Sequence, residues 1–78
     1  VVYSGSGLKG YGNLIIVKHN NNYLSAYGFN RRLLVNEGVR VKRGQGLAEV
    51  GQAAGGEYRL HFEIRKNGTT VNPLKYLP

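Results

Sequence analysis

Apolar and polar residues alternate with a period of two along much of this 78-residue chain, a pattern that predicts strands rather than helices. The clearest run is Arg59-Leu60-His61-Phe62-Glu63-Ile64-Arg65. Leu60, Phe62 and Ile64 share one parity and turn to a core, while Arg59, His61, Glu63 and Arg65 share the other and face a cleft or solvent. Residues 13–19 form the strongest strand. Asn20, Asn21 and Asn22 tolerate left-handed backbone and suit a tight turn. Residues 23–29 then return as the partner strand, with Tyr23, Ser25 and Tyr27 on one face and Leu24 and Ala26 on the other. Further strands are expected at 1–3 and 47–50, with a glycine-rich turn over 4–12. Another short strand is expected between the glycine turns of 38–47. Residues 31–37 read as irregular or as one helical turn. Residues 58–66 should pair with 69–71 across Asn67-Gly68, the best hairpin signal in the chain. Pro73 ends the last strand, and 75–78 packs as a tail. The expected core is Leu14, Ile16, Leu24, Leu47, Leu60, Phe62, Ile64 and Leu74.

Twelve glycines, only two prolines and short β-branched runs place the chain in the all-β class, as an antiparallel sheet or flattened β-sandwich without a helix of ordinary length. A domain this small buries only roughly 60% of its unfolded surface, and with no cysteine it has neither a disulfide nor a thiolate metal site. The acids are Glu37, Glu49, Glu57 and Glu63, with no aspartate. That excludes a Ser-His-Asp triad and leaves few carboxylate ligands. Eleven Lys and Arg against these four acids give a formal charge of +7, which favours anionic partners. The longest aliphatic run, Leu14-Ile15-Ile16-Val17, is far too short to cross a bilayer. The chain opens inside what reads as a strand and has no initiator Met, as expected for the C-terminal part of a longer domain. A sheet incomplete at its N-terminus would leave an edge open to self-association or to another segment.

Gly38, Val41, Gly44, Gln45 and Leu47 make a turn-strand-turn shared by two β-sandwich families. Lipoyl and biotinyl carriers also need a modifiable lysine flanked by Met, or by Asp and Ala, and the hairpin lysine here, Lys66, sits beside Asn67-Gly68 instead. Tyrosines interleaved with basic residues suggest a stacking surface for single-stranded nucleic acid, but no RNA-binding consensus is present, and Tyr alternation on a hairpin reads as half-buried packing. No nucleic-acid partner is expected. His19, at a strand end beside the asparagines, reads as an exposed turn histidine.

Gly10-Tyr11-Gly12-Asn13, Ile16-Val17-Lys18-His19, Leu24-Ser25-Ala26-Tyr27, Gly44-Gln45, residues 60–65 and Val71-Asn72-Pro73-Leu74-Lys75-Tyr76-Leu77-Pro78 follow one another in an order that resembles the LytM-type (lysostaphin-like) zinc endopeptidases of peptidoglycan, and within them the NlpD-type envelope lipoproteins. The resemblance covers nearly the whole chain. It implies a duplicated, lipoyl-like β-sheet hybrid and, in active members, two zinc ligands in an upstream His-x-x-x-Asp motif. It also implies a catalytic His two residues after a Tyr, and a His-Leu-His whose first His is catalytic and whose second binds zinc. Tyr27 matches the Tyr, Phe29 stands where the catalytic His would be, Arg59 replaces the first His of the pair, and His61 keeps the ligand position.

What the resemblance implies is therefore a non-enzymatic regulator. Members of this branch activate periplasmic N-acetylmuramoyl-L-alanine amidases, which split septal peptidoglycan during cell division, from an outer-membrane lipid anchor that would lie outside this chain. The old cleft, with Tyr27, Phe29, Arg59 and His61, would become the docking groove. No catalytic residue and no cofactor are expected, and zinc would require ligands from upstream. The alternative is a peptidoglycan-binding module or a zinc metalloendopeptidase acting on cross-links.

Overall fold

The computed structural model describes residues 1–51 and 58–75. Its strands are β1 (Tyr3–Gly5), β2 (Asn13–Lys18), β3 (Tyr23–Leu33), β4 (Ala48–Val50), β5 (His61–Lys66) and β6 (Thr69–Val71), followed by a single 3-10 turn at Pro73–Lys75. They make one six-stranded sheet in the order β1-β2-β3-β5-β6, with β4 also paired to β3. All the pairings are antiparallel, as the alternation requires. β3 is the spine. β2 runs along one side of it, while β5 and β4 share the other side end to end, β5 opposite Tyr23 to Gly28 and β4 opposite Asn30 to Leu33.

The hairpins form where local chemistry places them. Asn20 Oδ1 accepts the backbone N–H groups of Asn22 and Tyr23 at 2.8 and 3.0 Å, an Asx turn that swings β2 into β3. At the β5–β6 turn, Asn67 and Gly68 take φ of +52° and +81°, the two left-handed positions a tight hairpin demands. The strand expected between the glycine turns is absent, and residues 38–47 cross as turns and irregular backbone. Residues 31–33, expected to be irregular, instead extend β3, because β4 pairs with them.

The core differs from the expected set. Ile15, Val17 and Val35 form its centre, with Leu33, Val41, Leu47 and Ala48 packed against it. Leu14, also buried, lies on the opposite face of the sheet. Leu60 and Leu74, assigned to the core from their parity and position, are 43% and 78% exposed, because β5 begins only at His61 and Leu74 rides the terminal 3-10 turn. Phe62 and Ile64 do take the face opposite His61, but only half-buried, as Ile16 and Leu24 are on theirs. The loop that buries Ile15 and Val17 reaches over the β1–β2 end, where Ser4 Oγ donates to the Val35 carbonyl at 2.7 Å. The tail residues 76–78 lie outside the described residues.

Arg31 donates to the Glu49 carboxylate, and Arg32 Nη1 lies 3.8 Å from its other oxygen, tying β3 to β4. The hydrogen bond from Arg31, then its charge, hold the Glu49 carboxyl below its ordinary value of 4.5. A lowered carboxyl stabilises the fold above that ordinary value, and the contribution is lost as pH falls through the lowered one. The melting-temperature gap between the native chain and Glu49→Gln is therefore expected to be small, since the pair is exposed, and to close as pH drops below 4.5. A gap that stays constant across that range rules the pair out as its origin.

Candidate docking site beside His61

Between Tyr27 and Asn30, β3 carries one more residue than β2 does between Ile15 and Asn13, which is a β-bulge. Phe29 occupies it with φ +60°, a left-handed conformation that costs a non-glycine residue roughly 1–2 kcal/mol. Several hydrogen bonds hold it there. The Phe29 N–H donates to the Tyr11 carbonyl at 2.8 Å, and its own carbonyl accepts the Gly51 N–H at 3.0 Å. Buried Asn30 donates to the carbonyls of Asn13 and Tyr27 at 3.0 and 2.7 Å, and Asn13 returns a bond to the Asn30 carbonyl at 3.0 Å. These bonds on both sides of the bulge sustain the strain.

The bulge decides which side Phe29 faces. Strict alternation would put it with Tyr27; instead its ring meets His61 edge-on, with centroids 5.8 Å apart and planes at 70°. Tyr11 approaches His61 from the glycine-rich loop at 5.6 Å and 60°. Gly28 lies under this approach, where a Cβ would sit at contact distance, 3.4 Å, from both the His61 Cβ and the Tyr11 carbonyl oxygen. The imidazole is thus flanked by two aromatic edges, the geometry such pairs prefer.

About 40% of the His61 side chain is exposed, yet its Nε2 is covered and has no hydrogen-bond partner among the described residues. The nearest acidic oxygen, Glu63 Oε1, lies 3.4 Å away, and Glu63 Oε2 lies 3.5 Å from Arg65 Nη2. Register places all three on one face, with Gly28, Ala26 and Leu24 of β3 directly opposite. Beyond this row of charge lies an apolar groove of about 340 Å³, floored by Leu14, Ile16, Leu24 and Ala26.

Of the residues expected to line the groove, Phe29 and His61 are brought together. Tyr27 is not: it lies on the far face, its ring 5.3 Å from Phe62 and its hydroxyl accepting from Ser25 at 3.0 Å. It pairs with Phe62 in the ladder, whereas Gly28 pairs with His61. Arg59 precedes β5 and is exposed, its N–H donating to the Gly51 carbonyl at 3.2 Å. Tyr11, Gly28, Asn30 and Arg65 were missed as site residues; Arg65 and Glu63 were marked by their parity with His61, but Tyr11 carried no local signal. His19 is exposed as expected, though its Nε2 lies 2.7 Å from Ser25 Oγ. Lys66, the lysine a carrier domain would modify, stacks over the Tyr23 ring at 5.7 Å.

A zinc site takes four ligands, or three and a water. His61 and Glu63 are two donors at most, and no cluster of three His, Cys, Asp or Glu exists among the described residues. The donor set among the described residues does not by itself fit the ion. What remains is an aromatic ring, a row of charge and an apolar floor.

Residues 1–73 match peptidase family M23, and the chain belongs to that family. It is 62% identical over its full length to the "Lipoprotein NlpD/LppB homolog" of Pseudomonas aeruginosa, of which it spans 26%. It is 58% identical to the "Murein hydrolase activator NlpD" of Escherichia coli strain K12, again over its full length, spanning 21% of that protein. The chain thus spans about a quarter or less of these curated relatives. Among solved structures, the catalytic domain of the prophage-encoded M23 protein EnpA from Enterococcus faecalis superimposes with a TM-score of 0.75 and 34% identity, over 96% of this chain and 59% of that one. The all-β sheet is the fold of the family.

Proposed function

We propose that this chain is a non-catalytic module that switches on N-acetylmuramoyl-L-alanine amidases for septal peptidoglycan splitting. It would act in the periplasm, in a protein held to the outer membrane by a lipid anchor outside this chain. The names of its relatives, a murein hydrolase activator and a lipoprotein, support the reading. The observation that carries it is the Phe29 ring packed against His61, where the family's chemistry calls for a second imidazole. A phenyl ring neither accepts a proton nor polarises water, and Arg59, at the other catalytic position, carries a guanidinium, which has donors but no acceptor. The same two side-chain types are favoured anchors at the centre of interfaces. Activation then means tighter binding to the open amidase than to its closed form. Zinc would require ligands from upstream of this chain.

Dye release from labelled sacculi tests this. The chain alone is expected to release nothing, and Phe29→His with Arg59→His together is expected to release nothing either, since two zinc ligands would still be wanting. Addition of the chain to a cognate amidase should raise release. Chelator-sensitive release by the chain alone would establish the endopeptidase reading instead.

A further inference from the structure

The loop that closes the core presents a second surface, on the face of the sheet opposite His61. Residues 36–46 are exposed except for Val41, which turns inward. The loop carries Arg40, Lys42 and Arg43 against one acid, Glu37. Two of these cations stand on a closed turn, in which the Gln45 N–H donates to the Lys42 carbonyl at 3.1 Å and Gln45 Oε1 accepts the Lys42 N–H at 3.0 Å. Among the described residues, no carboxylate forms an ion pair with any of the three. Beside Arg40 is a shallow depression of about 380 Å³ lined also by Lys18 and Val39, and Val39 is 39% exposed.

Three features combine here: cations with no ion-pair partner among the described residues, an exposed valine beside Arg40, and a turn whose shape is fixed by its own hydrogen bonds. An anionic polymer would satisfy the charges but offer nothing to Val39. A phospholipid surface satisfies both, with phosphates at the level of the cations and acyl chains beneath them. We infer that the Arg40–Lys42–Arg43 turn, with Val39, docks on an anionic phospholipid membrane. Because Val35, Val41 and Leu47 of this segment cover Ile15 and Val17, whereas Leu14 and Ile16 floor the groove beside His61, docking leaves that groove uncovered. The inference stands apart from the amidase reading.

The test is co-sedimentation of the chain with vesicles of mixed phosphatidylglycerol and phosphatidylcholine, and with phosphatidylcholine alone. Each basic residue near an anionic surface contributes roughly fivefold in partitioning, so Arg40→Gln, Lys42→Gln and Arg43→Gln together should lower binding about a hundredfold, with melting unchanged. A charge-matched control, Lys9→Gln, Lys66→Gln and Lys75→Gln, should lower it far less. Val39→Ser should weaken the binding that survives high salt. Equal losses in the two triple variants, no binding to the anionic vesicles, or stronger retention of the same turn by sacculi or DNA would each overturn the inference.

Discussion

Gly51→Ala is expected to destabilise the chain by about 3 kcal/mol, the upper end for an overpacked site, and to lower its melting temperature by roughly 15 °C for a domain of this size. A Cβ at this position would lie 2.6 Å from the Phe29 carbonyl oxygen, 2.8 Å from the Arg31 nitrogen and 3.0 Å from the Asn30 carbonyl carbon. All three are backbone atoms, so no rotamer change relieves the clash. Gly51 also sits where β4 gives way to β5 along the spine strand, donating to the Phe29 carbonyl and accepting from the Arg59 N–H. Moving it breaks the frame of the bulge from both sides. Gly46→Ala is the control: its Cβ would meet only the Leu34 side chain, at 3.8 Å, and melting should shift little. Thermal unfolding by circular dichroism separates the two, and equal melting would refute the assigned packing.

Removing the Phe29 ring should raise the amount of chain needed for half-maximal amidase activation about thirtyfold. Truncating an anchor at the centre of an interface commonly costs about 2 kcal/mol, and 1.4 kcal/mol is a factor of ten. Asparagine is a sharper replacement than alanine, because it tolerates the left-handed backbone that the bulge imposes. Phe29→Asn deletes the ring and keeps the conformation. Rim changes such as Lys9→Gln or Lys66→Gln should alter mainly the association rate and its salt dependence. If Phe29→Asn activates at the native concentration while remaining folded, the amidase docks elsewhere.

The fold was readable wherever its cause is local. The asparagines at 20–22, the Asn67-Gly68 pair and the alternation through residues 61–65 each carry their own geometry. The core was only partly readable. Val35 and Ile15 meet because a long irregular segment folds back over the sheet, and period-two arguments say nothing about such a segment. The error at Tyr27 has the same origin. Tyr27 and Phe29 share a parity in the sequence, and a bulge held by bonds to the Tyr11 and Asn13 carbonyls and from the Gly51 N–H sends them to opposite faces. A residue-by-residue resemblance marks both positions but not the switch between them. Tyr11 was missed because it sits in the glycine-rich loop before β2, and period-two arguments do not place loop residues.

The Phe29 bulge also bears on the order in which the chain organises itself. The β2–β3 and β5–β6 hairpins close over short turns and can form early, because short loops lose little entropy. The bulge is different: beyond the Phe29–Tyr11 bond that extends the β2–β3 hairpin, it needs Gly51 well downstream, so it is completed only after that long connection has closed. In folding-kinetic terms Phe29 belongs to the late, low-φ part of the molecule. Changes there should act chiefly on the unfolding rate rather than the folding rate. The surface beside His61 is then the last region to assemble and, in local opening, among the first to come apart.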